Sequence, residues 1–399
     1  MIIKIDKAAI IQYLLLYLCF LNTSSEAANM YGNTLIVISF AFCCFLLAIR
    51  RIQVQNNYLL FILALIGAIF VQHVAVQGNI SINSMMNTLT QCLLAYCAVA
   101  YDSKNFCRRF IKISVVIALF SLICYVISLT PLSPLLKIVL VANDSHNWTG
   151  KLSYGRFIYH YMEGYPRNVG LYREPGVFQL FLNLALYFLL FKNEKLEKKK
   201  IASLVILLLA IVSAASTAGY ITTAIILGGY VLQNKPGWGM RRVYLITAFL
   251  IALGIFSQTE LFQTTFTEKL QFSSGSFSYG TGNARLASIL IDLRMIAQNI
   301  WGYGYSGAWV NTSTIASQET GSSVGLTSII TVYGVPIAMI IYAGYIYGFR
   351  RVSSGKLEFV ILLAMFISSF LSQPWVLAPA YLMCLSYGFV KAQNMTYCQ

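Results

Sequence analysis

Twelve stretches of the chain are apolar enough to read as helices crossing a bilayer: roughly 8–21, 34–49, 58–76, 85–101, 111–130, 174–191, 201–215, 217–232, 243–257, 324–349, 357–373 and 375–390. A helix needs about 20 largely apolar residues to cross the hydrocarbon core, and several of these segments are shorter. The pattern predicts an all-α polytopic integral membrane protein with 11–12 transmembrane helices, forming one membrane domain over 1–399. The pair 201–215 and 217–232 reads either as two helices or as one re-entrant element with Ser216, Thr217, Ala218 and Gly219 at its tip. Pro374 separates the last two segments, because proline cannot continue an unbroken hydrogen-bonded helix. Two long connections interrupt the rhythm, 131–173 and 258–323.

The first segment has two readings. Lys4, Lys7, the run Ala8–Leu21 and then Ser24-Ser25-Glu26-Ala27-Ala28 resemble a cleavable signal peptide. The same residues suit an uncleaved first helix, which is the reading carried forward. The topology beyond residue 28 is the same in both.

Composition supports the membrane class. Hydrophobic residues make up 58% of the chain and charged residues 10%, against about 25% charged in soluble domains. This excludes a disordered chain, a nucleic-acid-binding domain and a small secreted scaffold. The formal charge of +15, from 28 Lys and Arg against 13 Asp and Glu, first suggests a polyanion partner. Sorting the basic residues by side changes that reading. With the N-terminus inside, 20 of the 28 fall on inner connections and eight outside, all eight in the two long connections. The short outer connections carry no Lys or Arg. Most of the charge is therefore an orientation signal, which puts both termini in the cytoplasm.

Seven of the nine cysteines lie in the spans and neither long outer connection has one, so neither a disulfide framework nor a cysteine-based metal site is expected. His73 is the one clear ionisable group inside a span, and a hydrogen-bonded packing histidine is its simplest reading. The spans carry no central Asp or Glu, which argues against an ion-coupled transporter.

Candidate chemistry gathers in the two outer loops. The first holds Lys151, Arg156, His160, Glu163, Arg167 and Arg173, and ends at Glu174. Arg156, His160 and Glu163 are spaced to share one face of a short helix. Arg173 and Glu174 stand at the mouth of a span whose first turn contains Pro175. An arginine beside a helix N-terminus suits a phosphate, while Glu174 is a cap, a partner for Arg173 or a proton acceptor. The second loop holds an amphipathic helix over 283–300, with Leu286, Ile289, Leu290, Leu293, Ile296, Ala297 and Ile300 on one arc. Arg285, Ser288, Asp292 and Asn299 lie beside that arc, and Arg294 lies on the opposite flank. This suits a helix at the outer interface; the alternative is an ordinary packed helix whose charges face water.

Three motifs resemble the bacterial O-antigen polymerase family, the oligosaccharide repeat-unit polymerases, within a superfamily that includes the O-antigen ligases. Arg173-Glu174-Pro175-Gly176 with Phe178 looks like the family's G-x-x-x-E-P-G segment. Asn283-Ala284-Arg285 followed by Asn299-Ile300-Trp301-Gly302-Tyr303-Gly304 looks like its arginine, helix and N-P-x-x-G-x-G run, with Ile300 in place of the proline. Gly321 through Pro336 resembles a further loop-to-helix passage of the family. The resemblance covers about 150–350 and implies a fold like that of GT-C-type membrane glycosyltransferases.

It also implies a reaction. A glycan on undecaprenyl diphosphate would be transferred, with inversion, to a lipid-linked repeat unit at the periplasmic face of the inner membrane. No cofactor or metal is implied. The implied partners are undecaprenyl-diphosphate-linked oligosaccharides, membrane lipids, and a chain-length regulator and flippase of the same pathway. Arg173 and Arg285 would bind the diphosphate, with Arg167, Arg156 and Arg294 as second choices. Glu174, Glu163 and His160 are candidate bases, and Tyr172, Trp301 and Tyr303 candidate glycan contacts. Two rivals remain. A ligase would carry a histidine in the second loop, where this chain has none after His160. A flippase or other transporter would be expected to show paired halves or midplane charges.

Overall fold

The computed structural model describes residues 7–49, 51–78, 81–140, 142–146, 152–192, 198–233, 247, 254, 282–304, 324–374 and 376–390. The expected span 243–257 (positions 247 and 254 apart), the second loop outside 282–304, Lys151 and Tyr305 lie outside these residues.

The described chain is mostly helical. It opens with α1 (Lys7–Leu21), α2 (Glu26–Ala48), α3 (Asn56–Gln72) continued by a π-helical turn at His73–Gln77, α4 (Ile82–Ala100) and α5 (Phe106–Ser128). A short α6 (Ser133–Val139) leads into strands β1 (Ala142–His146), β2 (Leu152–Tyr154) and β3 (Tyr161–Met162). Then come α7 (Pro175–Phe191), α8 (Lys198–Ser213), α9 (Thr217–Leu232), α10 (Gly282–Gln298), α11 (Gly325–Tyr333), α12 (Val335–Val352), α13 (Lys356–Phe370) and α14 (Pro379–Phe389).

Among the described residues three helices are long and apolar enough to cross a membrane: Glu26–Ala48, Asn56–Ala75 and Phe106–Ser128. Of their most apolar stretches only 22%, 39% and 33% is buried within the protein. Leu60, Leu63, Val71, Val116, Ile123 and Val126 are among the side chains pointing outward. Such a face is costly in water and at home in lipid. Shorter apolar helices include Pro175–Phe191, Lys200–Ser213 and Thr217–Leu232.

The interior of the bundle is built on α7 and α14, which are buried along their whole lengths. A helix apolar all round is expected at the centre of such a bundle. Helix α7 packs against α5, α8 and α9, and α14 against α4 and α12. Phe20 of α1 meets Phe110 of α5 and Phe181 of α7 edge-on, with ring centroids 5.4 and 4.6 Å apart. Leu15, Leu16 and Cys19 are fully buried, so α1 packs into the core of the bundle. Helices α12 and α14 cross where Gly348 and Gly388 touch, a close approach that small residues permit.

The structure differs from the sequence pattern in four places. Helix α2 begins eight residues before the expected 34, because Ser25 caps it and Glu26 follows in its first turn. The expected span 324–349 is broken at Gly334 into α11 and α12. The 201–232 region forms two separate helices with a tip at 214–216, as one of its two readings has it, but the first long connection gains an unexpected short helix, α6. The all-α expectation also gives way to a small antiparallel sheet, order β1-β2-β3, in the first long loop. There Ser153 pairs with Met162 and Tyr154 with Tyr161.

The break at Gly334 is held from outside. Gly302 and Gly334 both have positive φ, and a Cβ on Gly302 would strike the backbone nitrogen of Gly334. Val335 N–H donates to the Ile300 carbonyl at 2.8 Å and Tyr303 N–H to Thr331 at 2.9 Å. Gln72 of α3 donates to the carbonyls of Trp301 and Val332 at 2.9 and 2.8 Å. His73 beside it accepts the Ser81 N–H at Nδ1, as a packing histidine does.

Charged residues buried at helix ends are paired. Lys192 meets Glu358 at 2.5 Å, and Tyr187 also donates to that carboxylate. Arg109 meets Asp102 at 2.7 Å and donates to Gln12.

The α12–α14 crossing gives a direct test. Gly388→Leu should destabilise the protein by about 1–3 kcal/mol through overpacking, seen as a lower melting temperature in detergent. Gly228→Ala on α9, where nothing lies within 4 Å, should leave it unchanged or raise it.

Candidate functional site

The segment from His160 to Glu174 leads into α7 and meets three other parts of the chain. It bridges to the α1–α2 turn through Ser25 and Tyr172. Its Asn168 N–H donates to the Ser213 carbonyl at 3.0 Å, and Arg167 reaches the α8–α9 tip. The charges of Arg167 and Glu174 also bear on Arg285 of α10. Most of the ionisable candidates converge here.

Arg167 is fixed by backbone carbonyls. Its Nε and Nη2 donate to Ala214 and Ala215 at 3.3 and 2.6 Å, and Nη1 donates to the Tyr165 hydroxyl at 3.3 Å. The arginine satisfies carbonyls just past the C-terminal end of α8 and opposes that helix dipole. Ala215 carries a positive φ of 48°, a conformation uncommon outside glycine. These bonds use three of the five guanidinium N–H groups and leave two for a ligand.

Arg285 is half-buried on α10. Burial lowers its pKa from the usual arginine range, Glu174 opposes the shift and Arg167 reinforces it. A guanidinium keeps its charge under such a shift. Two arginines and one exposed carboxylate thus share a small region, and Tyr165 lies beside them under the influence of both Arg167 and Glu174. Glu174 is the N-cap residue of α7 but makes no side-chain capping bond, and its charge acts on Arg285 and Tyr165.

Arg173, next in the chain, turns the other way. Its Nε lies 3.5 Å from Glu26 Oε2 and its Nη1 donates to Asn29 at 3.1 Å. Glu26 is 2% exposed at the start of α2. His160 Nε2 faces the same Glu26 oxygen at 4.0 Å, while His160 Nδ1 lies 3.1 Å from the Tyr172 carbonyl. A carbonyl only accepts, so Nδ1 is the donor and Nε2 carries the lone pair of the neutral ring. Burial pushes the His160 pKa down, against the upward pull of Glu26. Glu26 and Asn29 are the residues around Arg173 that the sequence reading passes over. The signal was present in the Ser25-Glu26 helix start.

Other candidates fall elsewhere. The expected helical face of Arg156, His160 and Glu163 does not form. Gly155, with φ of 86°, instead turns the chain so tightly that a Cβ there would strike the Tyr159 carbonyl. Arg156 donates to the Tyr31 hydroxyl and the Ala142 carbonyl and stacks on the Tyr31 ring, so it straps the sheet to α2. Glu163 pairs with Lys137 at 2.8 Å. Tyr172 is 1% exposed and stacked on Phe181 at 4.8 Å, which leaves no face for a glycan. Trp301 is exposed, and the half-buried Tyr303 donates to the Met295 carbonyl at 3.2 Å.

Helix α10 presents its apolar arc outward, with Leu290, Leu293 and Ile300 exposed. Asp292 faces inward, fully buried, and accepts from Thr327 at 2.5 Å. This is the reverse of a helix packed by its apolar arc with charges in water. Arg294, exposed and nine residues from Arg285, lies half a turn round and cannot share its target. Among the described residues no group of three or more His, Cys, Asp or Glu is placed to hold a metal.

No protein-family model, curated protein or solved structure matches this chain.

The Tyr172 hydroxyl is buried without a hydrogen-bond partner. Tyr172→Phe should therefore be neutral or stabilising by up to about 1–3 kcal/mol, since it removes a desolvated hydroxyl. Tyr172→Ala should cost about 3–5 kcal/mol through lost core packing. Thermal unfolding of the purified variants measures both.

Proposed function

We propose that this protein is a lipid-linked oligosaccharide polymerase. It would lengthen a surface polysaccharide by inverting transfer of an undecaprenyl-diphosphate-linked glycan onto a lipid-linked repeat unit, at the periplasmic face of the bacterial inner membrane. The observation that carries this reading is the convergence of Arg167, Arg285 and Glu174 beside a helix whose apolar arc faces outward. A lipid-linked diphosphate needs that combination: fixed cations at headgroup depth next to a surface for its acyl-like chain.

The chemistry follows from the charges. The acceptor hydroxyl attacks the anomeric carbon, the carbon–oxygen bond to the diphosphate breaks, and negative charge grows on the departing phosphate oxygens. Arg285 and Arg167, preorganised by burial and by the Ala214 and Ala215 carbonyls, would stabilise that charge. Arg173 extends the cationic edge, and Glu174 is the carboxylate available to take the hydroxyl proton. Trp301, exposed on the tight 299–304 turn, offers a ring for a sugar face.

The twelve-span topology belongs to the same proposal. Segments expected on one side touch each other: Ser24 and Ser25 meet 172–173, and Arg167 meets 214–215. Segments expected on the other side do likewise, as Gln55 donates to Val390 and Lys192 to Val352. These contacts support the alternation assigned from the basic residues.

Deleting the gene in its host should leave single repeat units on the surface glycan and remove the long-chain ladder on a gel. Loss of all capping would point to ligation or export instead. Arg285→Ala and Arg167→Ala, at normal protein levels, should each lower the polymerisation rate by roughly 10²–10³-fold, as expected for removing a preorganised charge-stabilising group. A full ladder in Arg285→Ala would remove that residue from the site.

A further inference from the structure

One carboxylate oxygen, Glu26 Oε2, is shared by two groups of different kinds. Arg173 Nε lies 3.5 Å from it and His160 Nε2 lies 4.0 Å from it. The two contacts are unequal in permanence. His160 is 3% exposed and anchored, its Nδ1 on the Tyr172 carbonyl and its backbone N–H on the Gly170 carbonyl at 2.7 Å. The Arg173 side chain is 42% exposed, and its Nε contact is longer than a strong charge-assisted bond. It is the partner placed to swing toward solvent, giving up its Nη1 bond to Asn29 as it does.

The His160 Nε2 atom is buried and has no hydrogen-bond partner. In the neutral ring it presents a lone pair to a carboxylate oxygen, acceptor facing acceptor, and such an arrangement in a buried place is unfavourable. The neighbouring arginine helps to offset it. The charged groups acting on His160 are Glu26 from α2 and Arg173 from its own segment, with opposite effects.

We infer that Glu26, His160 and Arg173 form one proton-linked unit, in which an anionic diphosphate draws Arg173 off Glu26 and His160 takes a proton from solvent at Nε2 to replace it. The balance is simple. The ligand gains the guanidinium, Glu26 exchanges an arginine for an imidazolium, and one proton enters the protein. Glu26 and His160 touch no reacting atom and are positioning residues. They hold Arg173 ready in the empty site and neutralise Glu26 when Arg173 is engaged. Protonated His160 keeps its Nδ1–H bond to the Tyr172 carbonyl and donates Nε2–H to Glu26 once the 4.0 Å gap closes, so the α1–α2 turn stays joined to the segment before α7.

The inference rests on the anion-binding reading of Arg173, and calorimetry on the full-length protein in nanodiscs separates the two. The probe is P1,P2-dimethyl diphosphate, a diester whose own charge does not change near neutral pH. Titrations in buffers of different ionisation enthalpy report protons taken up per ligand bound. Uptake approaching one proton is expected in the wild type between the His160 pKa of the free protein and its higher value in the complex, falling away above and below that window. Glu26→Gln and His160→Gln should bind the probe with uptake abolished, and nitrogen NMR should show His160 Nε2 gaining a proton on ligand addition in the wild type only. Binding without proton uptake in the wild type would overturn this inference and leave the anion site standing. Absence of binding at this site would overturn both.

Discussion

A carboxylate removed from water must keep cations close, and Glu26 is removed from water almost completely. It lies at the start of α2, where the helix dipole also favours negative charge. Arg173 is drawn to it, and His160 is set beside it, from a part of the chain well over a hundred residues away. The Ser25–Tyr172 bridge and the Arg173 N–H bond to Ser24 follow the same seam. That seam fixes the start of α7, and α7 is the helix around which α5, α8 and α9 pack. The position of Glu174 at the head of α7, and so its place opposite Arg285, depends on this one buried pairing.

The rest of the molecule obeys one constraint, that charge is cheap only at the ends of the bundle. Where charge is buried at an end it is paired, as in Lys192–Glu358 and Arg109–Asp102. Arg167, Arg285 and Glu174 differ because Glu174 acts on Arg285 through its charge and guanidinium N–H groups of Arg167 stay available. The proposed transfer from a lipid diphosphate asks for such a site, with charge that is fixed and partly desolvated. The Gly302–Gly334 contact and Gln72 lock the adjoining 299–304 turn to the bundle, so the exposed Trp301 is held in a defined place.

Much of the scaffold was legible in the sequence. Hydropathy placed α3, α4, α5, α7, α9 and α13 within a few residues of their observed bounds, because each is an apolar run closed by polar residues. The Arg173–Glu174–Pro175 motif marked the start of α7, since proline at a first turn has a local cause. What was not legible depends on distant parts of the chain. Glu26 reads as part of a polar connection until His160 and Arg173 fold onto it. Tyr172 reads as a surface aromatic until Phe181 stacks beneath it. The α10 pattern gives an apolar arc and a charged flank, but not which faces the protein, because a bilayer reverses the usual answer. The periodicity of Arg156, His160 and Glu163 misleads because Gly155 and the pairing of β2 with β3 override it.

The central claim is that these arginines serve transfer between two lipid-linked glycans with nothing else required. Reconstitution tests it most directly: purified protein in vesicles, supplied only with undecaprenyl-diphosphate-linked repeat units from the host, with products resolved by length. The account predicts a ladder of multiples of the repeat unit, with release of undecaprenyl diphosphate in step with each bond formed. Repeat units that remain single while the protein is folded, or that move across the membrane without joining, would contradict it.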